Sequence, residues 1–144
     1  MNPFMPTDLK TPEEVAMLAQ RQTIEKLEQA LQELPQSKIP EYKKLANGIF
    51  MKAIVIPQGT IGIGAEHTRP FFEVIMQGRM IMLSPFEEPQ LAQAPYIGMG
   101  MPGRRKVGYA LTDTIWATFH RSDAESIEEA EAEQIVVPDY IKNR

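Results

Sequence analysis

Apolar residues recur with two different periods along this chain, and the change of period divides it. Between Thr11 and Leu34, the residues Met17, Ile24 and Leu31 stand seven apart, Leu27 and Leu34 hold the companion position, and Gln20 is the polar exception. A stripe at that spacing lies along one face of an α-helix. Thr11-Pro12-Glu13-Glu14 supplies a start signal: Thr11 suits the N-cap, Pro12 the first helical position, and Glu14 completes a capping box. Neither Gly nor Pro interrupts the run until Pro35 ends it. The prediction is a helix of about 22 residues, roughly 33 Å long at 1.5 Å per residue. Its seam is narrow, as in a coiled-coil or bundle contact. Met17, Ile24, Leu27, Leu31 and Leu34 are therefore candidate partner-binding residues. They pack either on the chain's own β domain or on another subunit or protein.

Pro35 to Asn47, with Pro40 and its lysines, reads as a linker. From Ile49 the pattern shortens to strands. Ile49 to Ile56 is one, and Pro57-Gln58-Gly59-Thr60 is a turn. Further strands are expected at about 60–66, 71–77, 79–84, 91–97, 105–110 and 114–121, with Gln77-Gly78 as a tight hairpin. All nine glycines lie between Gly48 and Gly108, so the turns and bulges that need positive φ belong to this middle stretch. Many short strands with turn punctuation predict a β-sandwich or barrel, not a βαβ fold. From Asp123 to Glu133 six of eleven residues are acidic, which suits a short surface helix capped by Ser122 or Asp123. Gln134 to Val137 has the pattern of a returning edge strand. The expected organisation is a helical arm and linker over 1–47, a β domain over 48–121, and an acidic extension over 122–144.

Composition narrows the function classes. At 144 residues, 43% apolar and 24% charged, the chain suits one soluble globular unit. It has no apolar run long enough to span a bilayer and no secretory leader pattern, so no membrane is expected. With no cysteine there is no disulfide, thiolate ligand or cysteine nucleophile, which fits a reducing interior such as cytoplasm. A net charge of −4 argues against a phosphate-tracking nucleic-acid surface, and Arg104-Arg105-Lys106 is the one dense basic cluster. No nucleophile elbow, phosphate loop or zinc-ligand run is present.

The middle of the chain carries an ordered set of short motifs. Ile56-Pro57-Gln58-Gly59-Thr60 is followed by Gly64-Ala65-Glu66-His67 and an apolar strand ending in Gln77-Gly78. Next come Ala94-Pro95-Tyr96, Met101-Pro102-Gly103-Arg104-Arg105, Gly108-Tyr109-Ala110 and Asp113 to His120. This order resembles small single-domain cupin-like proteins of tailed bacteriophages, over about residues 49–121. The resemblance implies a mainly β fold, a double-stranded β-helix or small jelly-roll barrel. The long N-terminal helix would precede it and the short acidic C-terminal helix would follow.

Metal-binding members of that family hold a cluster of imidazoles with a carboxylate inside the barrel. His67 matches the first such histidine and His120 the last, and they are the only histidines in the chain. The middle position is Phe71, which cannot bind a metal. Glu73 lies an even number of residues past His67, so it shares that face if the strand stays regular through Pro70, whereas the adjacent Glu66 faces away. The candidate metal set is thus His67, His120 and Glu73. With a donor replaced, no cofactor is expected; the alternative is a divalent transition metal. Met76, Met80, Met82, Met99 and Met101 read as flexible core filler. Arg79, Arg104 and Arg105 could orient an anionic substrate.

Two functions follow. In one, the chain is a non-enzymatic structural or assembly protein of a phage particle, in the virion or host cytoplasm, docking or forming a homo-oligomer through its helix. In the other, it is a metal-dependent enzyme (an isomerase, oxygenase or sugar-modifying enzyme) using His67 and His120.

Overall fold

The structure, a computed structural model, describes residues 11–84 and 87–137. Helix α1 (Pro12–Gln32) has 21 residues and begins with the expected capping box. The Thr11 hydroxyl accepts from the Glu14 N–H at 3.1 Å, and the Glu14 carboxylate accepts from the Thr11 N–H at 3.2 Å. Two donors that the first helical turn leaves without partners are thereby satisfied. At the far end the Gln36 side-chain amide donates to the Leu31 and Leu34 carbonyls, just past Pro35.

Eleven strands follow in the described residues. They are β1 (Glu41–Ala46), β2 (Ile49–Ile56), β3 (Ile61–Ile63), β4 (Glu66–His67), β5 (Phe71–Gln77) and β6 (Arg79–Ser84). The rest are β7 (Glu87–Gln93), β8 (Tyr96–Gly100), β9 (Val107–Ala110), β10 (Thr114–Arg121) and β11 (Ile135–Val136). Five form one antiparallel sheet in the order β1-β2-β10-β5-β8, and four form a second in the order β3-β9-β6-β7. A two-stranded ribbon pairs β11 with β4. Ile56, Ile75, Met80, Ala92 and Ala110 make the buried centre, with Ile54, Met82, Tyr96 and Trp116 packed against it. Contributions come from both large sheets, so the core is the space between them.

Several expected boundaries move, each for a physical reason. Glu41–Ala46 is not linker but a strand, paired in full with β2. Asn47-Gly48 turns the chain between them with φ of 53° and 74°, the double left-handed geometry of a tight hairpin. Gln77-Gly78 is not a hairpin: β5 and β6 lie in different sheets, and Gly78 is the point of crossing. Its φ is 93°, and a Cβ there would run into the Asp113 carbonyl and Thr114. The expected strand at 91–97 divides at Ala94-Pro95 into β7 and β8, which also belong to different sheets. Met80 and Met82 are core residues, but Met76, Met99 and Met101 are exposed, so core filling does not describe them.

Helix α2 (Ile127–Gln134) is the expected short acidic helix. Its cap is Ser126, whose hydroxyl accepts from the Glu129 N–H at 3.1 Å, rather than Ser122 or Asp123. Ser122 is instead buried and donates to the Glu133 carboxylate. Among the described residues no helix is long and apolar enough to cross a membrane.

Candidate functional site

Register places the two histidines. His120 sits near the end of β10 opposite Phe50 of β2, on the face of β10 that also carries Trp116 and Thr118. His67 ends the short strand β4, where it pairs with Ile135 of β11. Residues 53 apart in sequence thus meet, with His120 Nε2 and His67 Nδ1 separated by 3.2 Å. Phe71, at the start of β5, completes the group. Its ring is stacked on His120 at 4.8 Å and 22°, and lies 4.1 Å from the His67 ring. Gly100 of β8 pairs with Phe71, and a Cβ on Gly100 would overlap that ring. Glycine is therefore the residue that lets Phe71 lie stacked on His120, with the His67 ring tilted against it at 48°.

Burial decides the chemistry of the pair. It pushes the His67 pKa down to about 4, helped by the Lys52 charge and opposed by Glu66. Burial likewise pushes His120 down to about 4, with the His67 and Arg69 charges acting in the same direction. Both rings are then neutral at pH 7, and their contact is a hydrogen bond with one donor and one acceptor. Among the described residues His120 Nδ1 is buried without a hydrogen-bond partner.

The carboxylates have other partners. Glu73 is 1% exposed, and one of its oxygens accepts from the Lys106 ammonium. Glu66, buried beside His67, receives a two-pronged contact from Arg21 of α1 at 2.5 and 2.9 Å. Among the described residues no three His, Asp or Glu side chains come together in a way that could hold a metal ion. The structure brings His67 and His120 together but commits Glu73 to Lys106. The donor set is two imidazole nitrogens beside a phenyl ring, which does not fit the three-ligand metal centre considered as the alternative.

The remaining predicted residues fall on the helix. Ile24 is 1% exposed and faces the chain's own β domain. One turn before it Arg21 holds Glu66, and one turn after it Glu28 holds Arg105, with Arg105 Nη2 at 2.7 Å. Arg105 also donates to the Gly64 carbonyl at 2.7 Å and is 5% exposed, so it is fully engaged by the protein itself. Leu31 is half-buried, whereas Leu27 at 38% and Leu34 at 56% look outward. Met17 lies on α1, and its side chain falls outside the described set. Arg21, Glu28 and Lys106 were invisible as site residues in the sequence, because charged residues on a helix or after a turn carry no local sign of a distant partner.

A cleft of about 380 Å³ opens between the first half of α1 and the barrel, with Gln20, Tyr96, Arg104 and Lys106 on its walls.

Comparison with solved structures identifies the architecture. The chain is similar to a cupin superfamily protein from Desulfitobacterium hafniense DCB-2, at 6% identity over 62% of this chain and 83% of that one, with a TM-score of 0.50. It is similar to a candidate ethanolamine utilization protein from Salmonella typhimurium LT2, at 6% identity over 61% and 72%, also with a TM-score of 0.50. An acetylacetone dioxygenase from Acinetobacter johnsonii matches at 14% identity over 60% and 61%, with a TM-score of 0.49. No protein-family model matches the chain, and no curated protein does. Likeness at these identities is one of fold, and the fold is cupin-like.

Proposed function

We propose that this protein is a non-enzymatic structural or assembly module, acting through contacts with other proteins or with further copies of itself. The observation that carries this reading is Phe71. It occupies the place of a donor, is stacked on His120 and is seated over Gly100. An imidazole pair that spends its hydrogen bond internally and is held neutral by burial ties β4 to β10. It offers no charged acid, no activated nucleophile and no triad of ligands. The neighbouring carboxylates add to the same end, since Glu73 and Glu66 each neutralise a cation from another element.

The outward residues Leu27 and Leu34 make α1 a docking element, with Ile24 anchoring the helix to the barrel beneath them. The finer assignment, to a component of a tailed-phage particle, rests on the order of the sequence motifs between Ile56 and His120. On that assignment the protein resides in the virion or the host cytoplasm.

The test is metal content by inductively coupled plasma mass spectrometry, on protein purified without chelator or affinity-tag metal, together with mass by light scattering. The expected outcome is a metal-free protein of higher mass than its 16.3 kDa chain. Near-stoichiometric iron, manganese, nickel, copper or zinc, lost in His67→Ala, would overturn the reading in favour of a metal-dependent enzyme.

A further inference from the structure

The outer face of the five-stranded sheet is apolar from strand to strand. Across the five-stranded sheet, Phe72 pairs with both Met99 and Phe119, and Val74 pairs with both Ile97 and Ala117, so these residues share one face. The opposite face of the same strands carries Ile75 and Trp116 of the core. Several of its large side chains are open to solvent: Ile97 is 76% exposed, Phe72 57% and Met99 54%, with Tyr42 of β1 at 61% and Met76 of β5 at 54%, while Ala117 is covered by its neighbours and Val74 and Phe119 are half-buried. No charged side chain lies on this face of β5 or β8; Lys44 on β1 and Arg121 at the end of β10 stand at its margin.

We propose that this face is an interface between two copies of the chain, packed sheet against sheet about a two-fold axis near β5 and β8. Area is the first argument. With 150–250 Å² for each fully exposed large side chain, the five exposed residues present on the order of 600 Å². Their half-buried neighbours on β2 and β10 bring the face near the roughly 800 Å² per partner of a stable interface. A patch of that size stands at the upper end of the roughly 300–600 Å² of the largest apolar patch on a typical monomer, the range in which such patches are often functional. Charge is the second argument. A partner for this face must itself be flat, apolar and uncharged at its centre, and the face meets its own description. A two-fold axis through its β5–β8 half superposes Phe72, Ile97 and Met99 on their copies. It also keeps the two Lys44 side chains at opposite margins, where they stay hydrated. The inference does not require the histidine site to be non-catalytic, since it concerns the other side of the sheet.

The experiment uses the full chain in analytical ultracentrifugation at 5–100 µM, with Ile97→Glu as the disrupting variant and Leu91→Glu, on edge strand β7 of the other sheet, as the control. The expected result is a dimer for the wild type and for Leu91→Glu, and a monomer with unchanged circular dichroism for Ile97→Glu. A monomeric wild type overturns the proposal. So does a dimer that survives Ile97→Glu and is lost in Leu27→Glu, which would place the contact on α1. Because the chain has no cysteine, Ile97→Cys and Lys44→Cys give single thiols. Oxidation crosslinks the first and not the second if the axis lies where proposed; the reverse pattern overturns it.

Discussion

Acidification offers the sharpest test of the histidine pair. In the unfolded chain both imidazoles take up protons near pH 6.5, whereas in the folded protein they resist until about pH 4. Between those values the unfolded state binds more protons, so stability is complete above pH 6.5 and is lost as the pH falls towards 4. Each shift from 6.5 to about 4 corresponds at full value to about 3 kcal/mol. His67 is only half-buried, and charging one ring opposes charging the other, so about 3 kcal/mol for the pair together is the reasonable magnitude. That is a large part of the 5–15 kcal/mol that holds a domain of this kind folded. Glu41, whose pKa is lowered, loses its stabilising effect as the pH drops through values below 4.5, so the window from pH 6.5 to 5 isolates the histidines. The assay is urea unfolding at half-unit steps across that window, with imidazole proton shifts followed by NMR on the same samples. The expected result is a falling midpoint while both imidazoles remain neutral, and a slope removed in the His67→Gln, His120→Gln double variant. A constant midpoint, or either ring titrating above pH 6, would refute the reasoning.

Three further outcomes are expected. Phe71→His supplies a third imidazole between the existing two, so calorimetric titration with zinc should show near-stoichiometric binding where the wild type shows none; equal binding by both would falsify the reading of Phe71 as the missing donor. Gly100→Ala forces the Phe71 ring off its seat and should cost about 1–3 kcal/mol in chemical denaturation. It should also raise the His120 pKa towards 6.5, so a silent substitution would contradict the stacked arrangement. Arg21→Ala leaves the buried Glu66 carboxylate without its cation and should cost about 2 kcal/mol, reduced from the value of a fully buried pair because Arg21 is 38% exposed. Hydrogen exchange should then quicken throughout α1, and unchanged protection there would show that the ion pair does not hold the helix.

Features written locally were readable from residue order. The capping box at Thr11 and Glu14, the strands β2, β5 and β10, and the acidic α2 each depend on neighbours within a few positions. The meeting of His67 and His120 was legible only through the order of motifs, since nothing near either residue marks the other. Glu73 misled because strand parity reports which face a side chain takes, not which cation awaits it there, and Lys106 lies 33 positions away. Strand β1 was missed because its apolar positions Tyr42 and Leu45 sit among lysines, although Asn47-Gly48 held the hairpin signal. The exposed face of the large sheet was hidden for the opposite reason. Its strands are apolar on both sides, so alternation never revealed which side met water.

Strand β4, two residues long, is gripped from three directions. Its backbone pairs with β11, Glu66 is held by Arg21, and His67 is held by His120. One of these partners lies 45 residues upstream, and β11 begins 68 residues downstream. The histidine pair is therefore held by segments from both ends of the described chain, and a cut in the loop before Ile135 would loosen β4 and its imidazole while leaving the pairings of the two large sheets in place.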